Sequence, residues 1–441
     1  MRSIILMAFL FAGLAASAQS QEPLTPGEQS LTIDSLIQSL QANYVFPEVA
    51  KKMGQHLQQQ LKAGAYQQLN NPVAFADKLT EDLQAISHDL HLRVRFNPED
   101  AQQMRAQSDS REPEGPDEQW LKEMRRDNFG FQEAKILEGN IGYLDLRGFY
   151  PAEFAGETAA AVMNMLSNTD GIIFDLRQNG GGDPGMIQLL TSYLYDARDQ
   201  IHLNSFYFRP TDDTTQTWTL PYVPGKRNPK AEVFVLTSGR TFSAAEEFTY
   251  NLKNLKRGTI VGETTGGGAH PGGMRPIGNR FVAFVPSGRA INPITHTNWE
   301  GTGVSPDIEV KQENALEVAH QMALEKLAEK ATAEEDKAFF NWYANYLKAK
   351  SDPIILSKEQ MEACTGAFGA RSILMQDGQL YYQRDKRTPM ALEILSATSF
   401  SLKGDASIRL SVEMKDGQAA ALVMESISGW QERTERSDVK P

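Results

Sequence analysis

The 441-residue chain contains a single cysteine, Cys364. One thiol excludes an internal disulfide framework and any metal centre built on cysteine, and no metal or other cofactor is expected. Positive charge is also scarce: 44 Lys and Arg stand against 56 Asp and Glu, a net charge of −12. Nucleic acids and anionic membranes are met by basic surfaces, so neither is expected as a partner. Apolar runs of membrane-spanning length are missing altogether. The one notable run, Ile4 to Leu14, is too short to cross a bilayer; with Arg2 before it and Ala16-Ser17-Ala18 after it, residues 1–18 read as a secretory signal. An exported protein, periplasmic or secreted and not inserted in a membrane, is the expectation. No repeat, heptad or low-complexity tract breaks the remainder.

What is present falls into blocks of different period. Ile33, Leu36, Ile37 and Leu40 recur at helical spacing, as do Phe75, Leu79, Leu83 and Ile86, which predicts an N-terminal helical domain over 19–100. Pro72, after Asn71, suits a first helical turn. Polar and charged residues crowd 101–135 (Ser108-Asp109-Ser110-Arg111-Glu112-Pro113), and this stretch reads as a linker or loop. From 136 to 311 buried-strand runs (Ile141 to Leu146, Gly171 to Leu176, Val233 to Leu236) alternate with helical runs (Gly156 to Leu166, Pro184 to Tyr195, Ala244 to Leu255). That alternation predicts an α/β core. A helical connector is expected over 312–350. Beyond it, over 351–441, Ile408, Leu410, Val412 and Met414 alternate with polar residues, and Asp377-Gly378 and Asp416-Gly417 supply hairpin turns. A C-terminal antiparallel β module follows.

Chemistry concentrates at turns. Ser243 stands between the apolar run Val233–Leu236 and a helical run, where the free N–H groups and positive end of the new helix favour an oxyanion. The same residues, Ser243-x-x-Glu246, are also a capping box, and a serine there can simply cap its helix. A second strand-to-helix turn, Asp175 to Pro184, carries Gly180-Gly181-Gly182; consecutive glycines let backbone N–H groups approach a ligand. It has neither the Lys-Ser/Thr of a P-loop nor a dinucleotide-binding glycine spacing. Ser87-His88-Asp89-Leu90-His91 places two of the seven histidines just past a helix end, and an activated serine needs such a base. Glu300 is a lone carboxylate in the loop Asn298 to Asp307.

Together these segments resemble the tail-specific and tricorn-type serine peptidases of family S41, in the branch similar to interphotoreceptor retinoid-binding protein. The carriers are Asp89-x-His91, Asp175-x-Arg177-x-Asn179-x-Gly181-Gly182, Thr237-Ser238-x-x-Thr241-x-Ser243-Ala244-x-Glu246, Val261-Gly262-Glu263-Thr264-Thr265-Gly266-Gly267 and Glu300-Gly301-x-Gly303-Val304-x-Pro306-Asp307. The resemblance runs from about Leu31 to Val310 and implies a crotonase-like α/β core behind a helical domain, acting on polypeptide. It implies Ser243 as nucleophile, His91 as general base and Glu300 as the acid that orients the base. Ala244 and one of Gly180 or Gly181 would supply the oxyanion hole, and Gly267, Gly268 and His270 would line the substrate channel. The lysine base of the C-terminal processing branch is absent, since Gly266 to His270 occupies that distance; Lys253 lies too far along the serine's own helix. His88, which follows a serine, is the alternative base. No PDZ-like domain fits between Val94 and Ile136. The alternative function is a non-catalytic protein holding an apolar, retinoid- or lipid-like ligand on the same fold.

Overall fold

The computed structural model describes residues 22–109 and 118–437. The expected signal segment, residues 1–18, lies outside the described residues. Among those described, no helix is long and apolar enough to cross a membrane. The described residues divide into two compact units, the first drawn from 1–116, 206–215 and 270–291 and the second from 117–205, 216–269 and 292–441.

In the first unit three helices, Pro26–Asn43, Pro47–Lys62 and Pro72–Ser87, each begin on a proline, whose fixed φ suits the first turn and whose missing N–H would have lacked a partner there. Thr25 and Glu28 form a reciprocal capping box, and Asn71 Oδ1 accepts from the Val73 and Ala74 N–H groups. Their apolar stripes, Ile33, Leu36, Leu40, Met53, Leu57, Phe75, Leu79 and Leu83, are buried with Leu92, Val94 and Phe281. The last two belong to a three-stranded antiparallel sheet ordered Arg93–Phe96, Phe281–Pro286, Gly272–Ile277.

The second unit is built on a six-stranded sheet in the order Ile308–Glu309, Gly258–Gly262, Glu232–Thr237, Gly171–Asp175, Ile141–Leu146, Phe131–Leu137. All neighbours run parallel except the last pair. Successive side chains point to opposite faces, and both faces are covered, which is why these strands read as continuous apolar runs. Ile172, Phe174, Val233 and Val235 pack under the helices Ala152–Met165, Pro184–Ser192 and Ala244–Asn254. Ile173, Phe234 and Leu236 pack against Ala315, Ala319, Ala323 and Leu324 of the helix Ala315–Lys330. The segment 312–350, expected as a connector, therefore forms one of the two layers over the sheet. The segment 101–135, expected as a linker, also departs from expectation. It carries the helices Pro98–Asp109 and Glu118–Arg126 and most of the edge strand Phe131–Leu137. The second helix is short and highly charged, and only Met124 on it is buried, so its apolar signal is weak.

After the helices Ala315–Lys330 and Glu334–Ser351 the chain forms an eight-stranded antiparallel meander from Gly366–Phe368 to Gln431–Glu435. Asp377-Gly378 and Asp416-Gly417 turn with positive φ at both residues, as two-residue hairpins require. Ser437 N–H donates to Ala367 C=O, and Arg371 pairs with Glu432, so the last strand returns to the first. Phe368, Ile373, Leu380, Phe400, Leu410 and Leu422 fill the interior with Cys364. Arg409 lies over the Trp342 ring at 4.0 Å, and the indole N–H donates to Ala406 C=O, which seats this module on the helix Glu334–Ser351.

Candidate active site

The central strand Glu232–Thr237 ends in a turn locked to its neighbour. Ser238 Oγ donates to Arg177 C=O at 2.6 Å, Thr241 Oγ1 to Leu176 C=O at 2.8 Å, and Phe242 N–H to Asn179 C=O at 3.1 Å. Asn179, fully buried, also donates through Nδ2 to Leu146 C=O. Asp175 holds Arg177 and the Tyr143 hydroxyl. The motif from Asp175 to Asn179 is thus a scaffold that fixes two strand-to-helix turns against each other.

At the end of this turn Ser243 adopts φ 54°, ψ −119° immediately before the helix Ala244–Asn254. A non-glycine residue held there costs about 1–3 kcal/mol, retained only where the surroundings dictate it. Its N–H donates to Glu246 Oε2 at 2.9 Å. Glu246 is fully buried and does more than close a capping box. Its Oε1 accepts from Thr265 Oγ1 at 2.5 Å and Gly267 N–H at 2.7 Å, and its Oε2 accepts a second bond from Gly268 N–H at 2.8 Å. Burial pushes the carboxyl above its ordinary pKa, and these four donors offset only part of that rise.

The glycine turn lies beside the serine. A Cβ placed on Gly181 (φ 110°) would come within 2.8 Å of Ser243 Cβ, 2.9 Å of Phe242 O and 3.0 Å of Ala244 N; on Gly182 (φ 141°) it would stand 2.0 Å from Phe149 O. Only glycine fits either place. Gly181 N–H is taken by Asn179 Oδ1 at 2.9 Å, which corrects its candidacy as an oxyanion donor. Gly180 and Ala244 differ: among the described residues neither N–H has a hydrogen-bond partner, and nothing lies within 4 Å of a Cβ built on Gly180.

Gly267 and Gly268, expected to line a substrate channel, have another task. Their N–H groups bind Glu246, while their carbonyls accept from Gly301 N–H at 2.9 Å and the Trp299 indole at 2.7 Å. With their backbone polar groups engaged inside the fold, they brace the serine's helix. Glu300 accepts from Ala269 N–H through Oε2 at 2.5 Å. Ser243, Ala244, Gly180, Gly181, Gly267, Gly268 and Glu300 all belong to the second unit.

His91 and His270 belong to the first unit and gather on Asp89, a carboxylate with 1% exposure. His270 Nδ1 lies 2.8 Å from Asp89 Oδ2, Tyr44 donates its hydroxyl to the same oxygen at 3.2 Å, and His91 N–H donates to Oδ1 at 3.0 Å. The His91 ring stacks on Phe284, and burial lowers its pKa to about 4. His88 is exposed and ends the helix Pro72–Ser87 in a left-handed conformation. The Asp89–His270 pair and the four-donor role of Glu246 both escape sequence reasoning. The only signal for the first was the proximity of Asp89 to His91.

A strained serine at a strand–turn–helix junction, beside a glycine turn and ahead of a helix N-terminus, is an arrangement able to support a nucleophile. The profile of peptidase family S41 matches residues 140–310, and that of the N-terminal domain of S41 peptidases in eukaryotic interphotoreceptor retinoid-binding protein matches 27–129. The chain belongs to peptidase family S41. It is 28% identical over 183 residues to a carboxy-terminal-processing protease of Bartonella bacilliformis, a match covering 40% of this chain and 40% of that protein. The chain thus spans well under half of that curated relative. Among solved structures, a peptidase of Parabacteroides merdae is 17% identical with TM-score 0.46, over 67% of this chain and 96% of that one. A lipoprotein of Streptococcus agalactiae is 15% identical with TM-score 0.45, over 69% and 98%.

Proposed function

We propose that this protein is an exported serine peptidase that hydrolyses peptide bonds in flexible polypeptides, without a PDZ-like capture domain. Ser243 Oγ attacks the scissile carbonyl, His91 takes its proton and later returns it to the leaving amine, and Glu300 orients the base. The N–H groups of Ala244 and Gly180 receive the developing oxyanion. The observation that carries this reading is the junction itself: Ser243 is held at φ 54° against Gly181, with those two N–H groups unpartnered among the described residues. The choice of His91 over His88 is supported by its burial beside Asp89, and a lowered pKa keeps its ring neutral and able to accept a proton. Export rests on residues 1–18 alone.

Fluorophosphonate labelling followed by peptide mapping tests the assignment. The label is expected on Ser243, and Ser243→Ala is expected to abolish both labelling and hydrolysis of an unstructured polypeptide such as casein. Labelling that persists in the variant places the nucleophile elsewhere. A protein that neither labels nor cleaves, and instead retains an apolar ligand, is the binding protein of the alternative reading.

A further inference from the structure

A cavity of about 480 Å³ opens on the face of the glycine turn. The turn Gly180–Gly182 forms one side, Trp120, Phe149, Tyr150 and Pro151 form an apolar wall, and Arg147, Gly148 and Asp183 complete the lining. Both charges already have partners. Arg147 is bound through Nε and Nη2 to Asp145, and Asp183 Oδ1 accepts from Gly185 N–H at the start of its helix. The cavity therefore offers mostly ring surface, with a paired guanidinium and the Asp183 carboxylate at its edge.

The wall is fixed except at Trp120. Phe149 N–H donates to Gly181 C=O at 2.9 Å, Asp183 N–H donates to Phe149 C=O at 2.6 Å, and the Phe149 ring rests on Phe248 of the serine's helix, 5.6 Å between centroids. Tyr150 is tied through its hydroxyl to Asp127 at 3.0 Å and packs edge-on to Phe129. Trp120, on the short helix Glu118–Arg126, meets Phe154 edge-on and stays 41% exposed, a large apolar surface left open to solvent at the mouth.

We infer that this cavity receives a large apolar side chain, aromatic or long aliphatic, from the polypeptide that lies across Ser243, and that Trp120 and Tyr150 set a preference for such residues next to the cut. The inference rests on the peptidase reading above. Its occupant follows from continuity: Gly181, in the cavity wall, is the residue whose Cβ would touch Ser243. A chain whose carbonyl lies at the serine must place a neighbouring side chain over that turn. Trp120 comes from the stretch matched by the N-terminal S41 profile and Tyr150 from that matched by the peptidase profile, so the two matched regions share the wall.

The experiment uses unstructured peptides identical except for Phe, Leu, Ala or Ser at each position flanking the cut, with products mapped by mass spectrometry. At one flanking position kcat/KM is expected to be at least roughly tenfold higher for Phe or Leu than for Ala, within the range that apolar pockets supply. Trp120→Ala is expected to remove most of this Phe-to-Ala ratio, bringing it towards unity, and Trp120→Phe to keep most of it. Trp120 is exposed, so its loss does not endanger folding; Tyr150→Ala provides the second wall variant. If no position discriminates, or if discrimination survives in both alanine variants, the inference is wrong. Fluorophosphonate labelling of the wild-type protein separates the two levels. A labelled Ser243 with indiscriminate cleavage overturns the pocket assignment alone, whereas a labelled Ser243 with no peptide cut overturns the peptide-substrate reading and the pocket with it. An unlabelled serine together with no cleavage overturns the peptidase reading and the pocket with it.

Discussion

Glu246 is the residue on which the position of Ser243 depends, and Glu246→Gln keeps its shape while removing its charge and two of its acceptor sites. In the native protein two donors converge on each carboxylate oxygen, Thr265 Oγ1 and Gly267 N–H on one, Ser243 and Gly268 N–H on the other. A glutamine amide offers one oxygen and one NH2. The least costly orientation keeps the oxygen towards Ser243 and Gly268 and turns the NH2 towards Thr265, whose hydroxyl can rotate to accept; Gly267 N–H is then left facing a donor. An orphaned buried N–H costs about 1–3 kcal/mol, and exchanging two charge-assisted bonds for neutral ones costs about 1 kcal/mol each. Release from burying a carboxylate returns part of this, so a net loss of about 2–4 kcal/mol is expected. Urea denaturation followed by fluorescence measures it. Because the same bonds hold the serine's backbone to the glycine loop, the labelling rate of Ser243 is expected to fall about 100-fold, the usual consequence of misplacement by about 1 Å. A glutamine variant within 0.5 kcal/mol of wild type on the scale of such losses, labelling at the native rate, would refute the argument that this carboxylate positions the nucleophile.

Two further outcomes are expected. Gly181→Ala should extinguish labelling in a protein that still unfolds cooperatively, because the methyl group would sit 2.8 Å from Ser243 Cβ and 3.0 Å from Ala244 N, at a φ of 110°; an alanine variant with native labelling kinetics would show that the turn relaxes freely. For His91 the folded pKa of about 4 lies below the ordinary value near 6.5, so the neutral ring persists to lower pH in the folded protein. The acid limb of kcat/KM should therefore fall near pH 4, and the stability linked to this group, present above 6.5, should be lost as pH drops from 6.5 towards 4. An acid limb near 6.5 that His91→Ala leaves unchanged, with His88→Ala abolishing turnover, would transfer the base to His88.

What the sequence determined by itself is whatever depends on near neighbours. Continuous apolar runs such as Gly171 to Leu176 specified strands buried on both faces. Pro72, after Asn71, marked the start of one N-terminal helix, and period-two alternation with Asp-Gly pairs specified the C-terminal meander. Ser243 at a strand-to-helix junction was legible for the same reason. The helix Glu118–Arg126 was not, because nine residues, five of them charged and one side chain buried, carry too little periodicity.

Only the tertiary structure decided how partners remote in sequence were spent. Asp89 and His270 meet across 181 residues, the strand Arg93–Phe96 pairs with Phe281–Pro286, and Glu246 reaches Thr265, Gly267 and Gly268 across another turn. It likewise decided that Asn179 consumes the N–H of Gly181 while that of Gly180 stays clear. A glycine or a glutamate in sequence states which bonds it is able to make. Which of them it makes depends on what the folded chain brings within 3 Å, and that is a property of the whole packing.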